Sequence, residues 1–113
     1  MISIYHNNRC SKSRDSLALL NEQNIEFKVI EYLQNPPSAK QLKTILKKLK
    51  LKPYELIRKS EVLFKTKYKD KDLSDDEWIE VMVNNPLLIE RPIIVNGNKA
   101  VIGRPPEKVL EIL

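Results

Sequence analysis

Residues 2–11 read Ile2-Ser3-Ile4-Tyr5-His6-Asn7-Asn8-Arg9-Cys10-Ser11. The first four alternate apolar and polar side chains, which predicts a short strand, and the next four form a polar loop. A helix is predicted from Ser11 to Asn24, and residues 27–29 are predicted as a second strand. The buried side of this helix is predicted to hold Leu17, Ala18 and Leu20. This order favours two parallel strands joined through a helix.

The middle of the chain is predicted to be helical. Ser38 with Gln41 and Ser74 with Glu77 have the spacing of capping boxes, which open helices. Apolar residues follow at helical spacing, namely Leu42, Ile45, Leu46 and Leu49 in the first helix and Trp78, Ile79, Met82 and Val83 in the second. Between these two helices, the sequence predicts a helical turn over residues 54–58 and a charged loop over residues 65–71.

The last part of the chain predicts a hairpin followed by a helix. Residues 91–95 are predicted as a strand that opens with a proline, and residues 99–102 return as its antiparallel partner. Asn96-Gly97-Asn98 between them is a typical hairpin turn. A last helix is predicted over residues 107–113. The whole order, β-α-β, a helical middle and β-β-α, predicts an α/β fold with a four-stranded mixed sheet, the thioredoxin-like arrangement.

Length and composition restrict the class of protein. The 113 residues suffice for a single domain, which we expect to span residues 1–113. One cysteine excludes an internal disulfide and any zinc site with two or more thiolates. No apolar run has the length of a membrane span or a signal peptide, so we expect a cytoplasmic protein with a reduced thiol. The lysines lack the aromatic interleaving of nucleic-acid binders and are interpreted as a solvated surface.

Cys10 is the candidate for chemistry, because it stands where the first helix begins. Unpaired N–H groups and the helix dipole at that position favour a thiolate and can cradle an oxyanion. His6, Arg9, Lys12 and Arg14 add positive charge nearby in the sequence. The alternative interpretation is a cysteine buried as a small hydrophobic residue.

Three arginines are candidates for binding an anion. Arg91 immediately precedes the proline that opens the predicted third strand, and Arg104 immediately follows the glycine at the end of the fourth, so both should lie at the same end of the hairpin. Planar guanidinium groups match tetrahedral oxyanions well. The alternative for these two and for Arg58 is a solvated surface charge.

Several stretches together resemble a known family. They are residues 5–14, 32–37, 56–59, 91–95 and 102–105. On these residues the chain is similar to the glutaredoxin-dependent arsenate reductases, with the motifs in the same order. The resemblance implies a thioredoxin-like fold with a helical insertion. It also implies a site with two catalytic residues, Cys10 and the histidine of the active-site loop, His6. The same site contains the oxyanion-binding Arg58, Arg91 and Arg104 and a structural cis-proline, Pro92.

The mechanism implied by the resemblance is thiol chemistry. The Cys10 thiolate attacks arsenate or a similar oxyanion, and glutathione and glutaredoxin complete the reduction to arsenite. Glutathione is a co-substrate, and no metal or bound cofactor is expected. The single cysteine excludes the phosphatase-like arsenate reductases, which form an internal disulfide. Two alternatives stay open: a thiol-based redox or glutathione-linked protein of the same fold, and an Spx-like transcriptional regulator.

Overall fold

The structure is a computed structural model that describes residues 2–113. The strands are β1 (Ile2–His6), β2 (Phe27–Glu31), β3 (Ile93–Asn96) and β4 (Lys99–Ile102), and the α-helices are α1 (Ser11–Glu22), α2 (Ala39–Leu49) and α3 (Asp75–Asn84). The chain groups into two compact units, one of residues 1–35 with 91–113 and one of residues 36–90. The single domain expected from chain length stays a prediction. No helix within residues 2–113 is long and apolar enough to cross a bilayer.

The first unit contains a four-stranded sheet of order β2-β1-β3-β4. β1 pairs parallel with β2 and antiparallel with β3, and β3 pairs antiparallel with β4. Helix α1 and a 3₁₀-helix over Pro106–Ile112 pack against each other in this unit. The buried core of the unit consists of Ile2, Ile4, Leu20, Ile94, Val109 and Ile112. These observations confirm the predicted α/β fold with a mixed sheet, while the predicted last α-helix forms as a 3₁₀-helix instead.

Helix α1 turns a partly polar side toward the interior. Its buried residues are Ser13, Ser16 and Leu20, whereas Ala18 is exposed. The prediction that Ala18 lies on the buried side is therefore wrong, although Leu20 is confirmed and Leu17 packs partly buried against the core. The two serines are tolerated inside because the Ser16 hydroxyl donates to the Gly103 carbonyl and the Ser13 hydroxyl contacts His6.

The second unit confirms both predicted capping boxes. The Ser38 and Ser74 hydroxyls accept hydrogen bonds from the N–H groups three residues on, at 3.2 Å in each case. The predicted apolar faces are buried at Leu42, Ile45 and Leu46 in α2 and at Trp78, Ile79 and Met82 in α3. Between these helices, Pro53–Leu56 forms a 3₁₀-helix, in agreement with the predicted helical turn.

The charged loop predicted over residues 65–71 is wrong, because Phe64–Tyr68 forms a turn of π-helix. Phe64 and Tyr68 are both buried, and their rings lie 6.4 Å and 6.2 Å from the ring of Trp78. Burial of two aromatic rings stabilises the helical turn that brings them to the same side. The lysines between them remain exposed, which explains why the segment looked like a loop in the sequence.

Gly103 separates the end of β4 from helix α1. A side chain at this position would collide with the Ser16 hydroxyl, and its Cβ would lie 3.0 Å from Pro92 Cγ and 3.1 Å from Ile94 Cδ1. Glycine is therefore required here for close packing between the helix and the hairpin.

We predict that Gly103→Ala lowers the free energy of unfolding by about 1–3 kcal/mol, because the added methyl overpacks this contact. Urea denaturation measures the loss. Gly97→Asn is the control, since Gly97 has a φ of +61° and open space around it, and asparagine tolerates this conformation. A Gly103→Ala protein as stable as the wild type would contradict the close packing described here.

Candidate active site

Cys10 occupies the N-cap of helix α1, between the polar loop and the first helical turn. Its backbone has extended dihedral angles, its N–H donates to the Asn7 carbonyl at 3.0 Å, and its carbonyl accepts from the Arg14 N–H. At this position the sulfur faces the N–H groups of the first helical turn, which have no partner within the helix. The residue is only 9% exposed, but its surroundings are polar.

Two arginines from the hairpin meet the Cys10 sulfur. Arg104 Nη2 donates to Cys10 Sγ at 3.2 Å, and Arg104 Nε donates to the Arg91 carbonyl at 2.7 Å. The Arg91 side chain also hydrogen-bonds to the thiol. The structure thus brings Cys10, Arg91 and Arg104 together, although 80 residues of sequence lie between Cys10 and Arg91.

The surroundings of the Cys10 thiol lower its pKa. Burial raises the pKa of this thiol, but hydrogen bonds from the Ser13 N–H, the Arg91 side chain and the Lys12 N–H, together with the charge of Arg104, lower it by more. The net effect places the pKa below its ordinary value, so a larger fraction of Cys10 is thiolate at neutral pH. The buried-hydrophobe interpretation of Cys10 therefore does not describe its setting.

The positive charges next to Cys10 in the sequence contribute less to its lowered pKa than the arginines that are distant in the sequence. Arg9, Lys12 and Arg14 are all exposed, and of these only Lys12 contributes to the lowered pKa, through its backbone N–H. The side-chain charge at the sulfur comes from the hairpin arginines instead. Proximity in sequence was thus a poor guide to the electrostatics of this site.

His6 ends β1 and is only 3% exposed. Its Nδ1 lies 2.7 Å from Ser13 Oγ and its Nε2 lies 3.1 Å from Asn8 Oδ1. The Ser13 hydroxyl also accepts the Asn7 N–H at 3.0 Å. His6 is therefore linked to Cys10 only indirectly, through Ser13. Its ring contacts the Ser13 hydroxyl, and the Ser13 N–H is one of the groups that lower the pKa of the Cys10 thiol.

The peptide bond between Arg91 and Pro92 is cis, as the resemblance implied, and the Arg104–Pro105 bond is also cis, which no sequence pattern predicted. The Pro92 carbonyl accepts the Gly103 N–H at 2.9 Å, just beyond the last pair of the β3–β4 ladder. This bond and the Arg104 contact with the Arg91 carbonyl hold the two arginine-bearing ends together.

Arg58 belongs to the second unit. Its Nε forms an ion pair with Glu61 Oε1 at 3.1 Å, and its N–H donates to the Leu88 carbonyl at 2.7 Å. The backbone at Arg58 is thereby fixed next to the Ile57–Ile89 bridge. Its role as a third oxyanion-binding arginine stays a prediction from the resemblance.

Sequence reasoning missed the polar residues that support the site. Ser13 and Ser16 were overlooked because a search for apolar periodicity does not register buried hydroxyls. Asn8 and Glu31 were overlooked because the hydrogen bond between them joins the active-site loop to the end of β2, 23 residues away. The one available signal was the parallel pairing of β1 with β2, which sets Glu31 opposite His6.

Comparison with known proteins shows a consistent relationship. The model of the ArsC family matches residues 5–112. The chain is 49% identical to the uncharacterized protein YfgD of Escherichia coli K12, over 99% of this chain and 96% of that protein. It is 46% identical to a protein named arsenate reductase from Haemophilus influenzae, with 99% and 98% covered. The solved structure of an arsenate reductase from Vibrio cholerae superposes with a TM-score of 0.94 at 47% identity, covering 99% of this chain and 97% of that one.

We predict that Arg104→Ala raises the pKa of Cys10, because the variant loses a positive charge and a hydrogen-bond donor that favour the thiolate. At neutral pH, iodoacetamide should alkylate Cys10 about tenfold more slowly, and the rate should recover as the pH rises. The matched control is Arg14→Ala, an exposed arginine of the same unit, which should leave the profile unchanged. An unaltered pH profile in Arg104→Ala would show that this guanidinium does not support the thiolate.

Proposed function

The chain belongs to the ArsC family, and we propose that it reduces arsenate to arsenite through Cys10, with glutathione and glutaredoxin as thiol donors. The family and the named relatives support arsenate as the substrate. The observation that carries the proposal is the contact of 3.2 Å between Arg104 Nη2 and the Cys10 sulfur. This contact places a thiol whose pKa is lowered next to cationic donors that suit an oxyanion.

The first step joins sulfur to arsenic. The Cys10 thiolate attacks the arsenic atom, a sulfur–arsenic bond forms, and one arsenic–oxygen bond breaks as that oxygen leaves as water after taking up protons from solvent. Arsenic keeps its oxidation state in this exchange. Arg91 and Arg104 stabilise the negative charge on the remaining oxygens, in addition to the charge of the attacking thiolate.

The reduction follows with two external thiols. Glutathione replaces a second oxygen on arsenic, which again leaves as water. The glutaredoxin thiolate then attacks the glutathione sulfur, so a mixed disulfide forms and the electron pair of the sulfur–arsenic bond passes to arsenic. Hydrolysis of the remaining Cys10–arsenic bond releases arsenite and restores the thiolate. Because Cys10 is the sole cysteine of the chain, the chain cannot supply the second sulfur itself.

The proposal assigns supporting roles to the remaining residues. Pro92 shapes the backbone beside the sulfur, and His6 acts on the same loop. Neither a metal nor a bound organic cofactor takes part in the chemistry we propose. We also propose a cytosolic location, because a reducing compartment keeps a lone thiol available and contains both donors.

We predict that the wild-type protein consumes NADPH when arsenate, glutathione, glutaredoxin and glutathione reductase are present, and that Cys10→Ser abolishes this activity. The hydroxyl of serine is a far weaker nucleophile, whereas the near-isosteric change should leave the fold intact, which circular dichroism and urea denaturation check. Activity that persists in Cys10→Ser would overturn the mechanism. A wild-type protein whose Cys10 alkylates rapidly but which reduces no arsenate would instead favour a thiol-based redox protein of the same fold.

A further inference from the structure

Four side chains form a continuous line of hydrogen bonds that starts at the edge of the sheet and ends at helix α1. Glu31 Oε1 lies 2.9 Å from Asn8 Nδ2, Asn8 Oδ1 lies 3.1 Å from His6 Nε2, and His6 Nδ1 lies 2.7 Å from Ser13 Oγ. The line connects β2, the active-site loop, the end of β1 and the first turn of α1.

The chemistry of Glu31 decides the direction of every bond in this line. An ionised carboxylate can only accept, so the Asn8 atom that faces Glu31 must be the amide nitrogen. The other terminal atom of Asn8 is then the oxygen, which also only accepts, and His6 Nε2 must carry a proton. In an uncharged imidazole, Nδ1 is then an acceptor, and the Ser13 hydroxyl must donate to it.

The second hydrogen bond of the Ser13 hydroxyl agrees with its role as a donor to His6. The hydroxyl accepts the Asn7 N–H at 3.0 Å, which leaves its proton free to point at His6 Nδ1. The serine is therefore tied both to the loop before Cys10 and to the histidine. Its backbone N–H meets the Cys10 thiol, so the orientation of Ser13 matters to the reactive sulfur.

We propose that Glu31 and Asn8 are positioning residues that hold His6 in the Nε2–H tautomer, with Nδ1 as the acceptor of the Ser13 hydroxyl. In this state both ring nitrogens are occupied, and His6 is not the base that deprotonates Cys10. It acts instead by fixing Ser13 beside the thiolate. The assignment deepens the proposed function, since it concerns the same site, although its test needs no arsenate.

The test measures the tautomer directly. His6 is the only histidine of the chain, so ¹⁵N NMR of an untagged protein labelled at histidine gives just one pair of ring signals. In an uncharged ring, the nitrogen without a proton resonates well downfield of the other. We expect the wild type to show a protonated Nε2 and a bare Nδ1.

Substitution of Glu31 should reverse the line. A lysine ammonium only donates, so in Glu31→Lys the Asn8 amide should turn its oxygen outward and its nitrogen toward His6. The proton of the ring then moves to Nδ1, and the two ¹⁵N shifts exchange. Glu31→Gln offers a side-chain oxygen in the same place and should keep the wild-type tautomer. Glu26→Lys makes the same change of charge at an exposed position outside the line and should also keep it.

A second variant tests the link through Asn8. Asn8→Leu removes the acceptor for Nε2–H and should give a mixture of both tautomers. Retention of the pure Nε2–H form in Glu31→Lys or in Asn8→Leu would overturn the assignment, as would a wild-type protein with the proton on Nδ1. None of these outcomes depends on arsenate reduction. A failure of the tautomer assignment can therefore be distinguished from a failure of the proposed function.

Discussion

The site depends on two hydrogen bonds that the Arg104 guanidinium donates. The guanidinium donates from Nε to the Arg91 carbonyl and from Nη2 to the Cys10 sulfur, so one rigid planar group joins the end of the hairpin to the start of helix α1. The arrangement requires the β3–β4 ladder to deliver both arginines at one end. It also requires Gly103, because a larger residue would push the hairpin away from Ser16.

A single buried thiolate at this place combines two opposing effects. Removal from water favours the neutral thiol, whereas backbone N–H groups and two arginines favour the charged form and prevail. The same donors that favour a thiolate suit an oxyanion, so the function we propose uses one set of groups both to lower the thiol pKa and to bind the anion. Since the chain has no second cysteine, the mechanism we propose uses Cys10 for the first sulfur–arsenic bond and external thiols for the remaining steps.

The sequence predicted the features that depend on local patterns and missed those that depend on tertiary contacts. The strand at residues 2–5 and the two capping boxes depend only on residues that are close together in the sequence, and the structure confirms both predictions. A buried Ala18 and a charged loop over residues 65–71 were predicted from the sequence, and both predictions are wrong. The exposure of Ala18 and the π-helical turn at Phe64–Tyr68 depend on which residues come into contact when the chain folds. Arg91 and Arg104 were placed together correctly because hairpin pairing is itself a short-range rule.

Protection of Cys10 by arsenate tests most directly whether the thiolate and its arginines receive the anion. We predict that arsenate slows iodoacetamide alkylation of Cys10 in a saturable manner relative to chloride at equal ionic strength. Arg91→Ala should lose most of this protection, because the variant lacks one of the donors that meet the sulfur. Equal alkylation rates in arsenate and chloride over the whole concentration range would contradict an oxyanion site at Cys10.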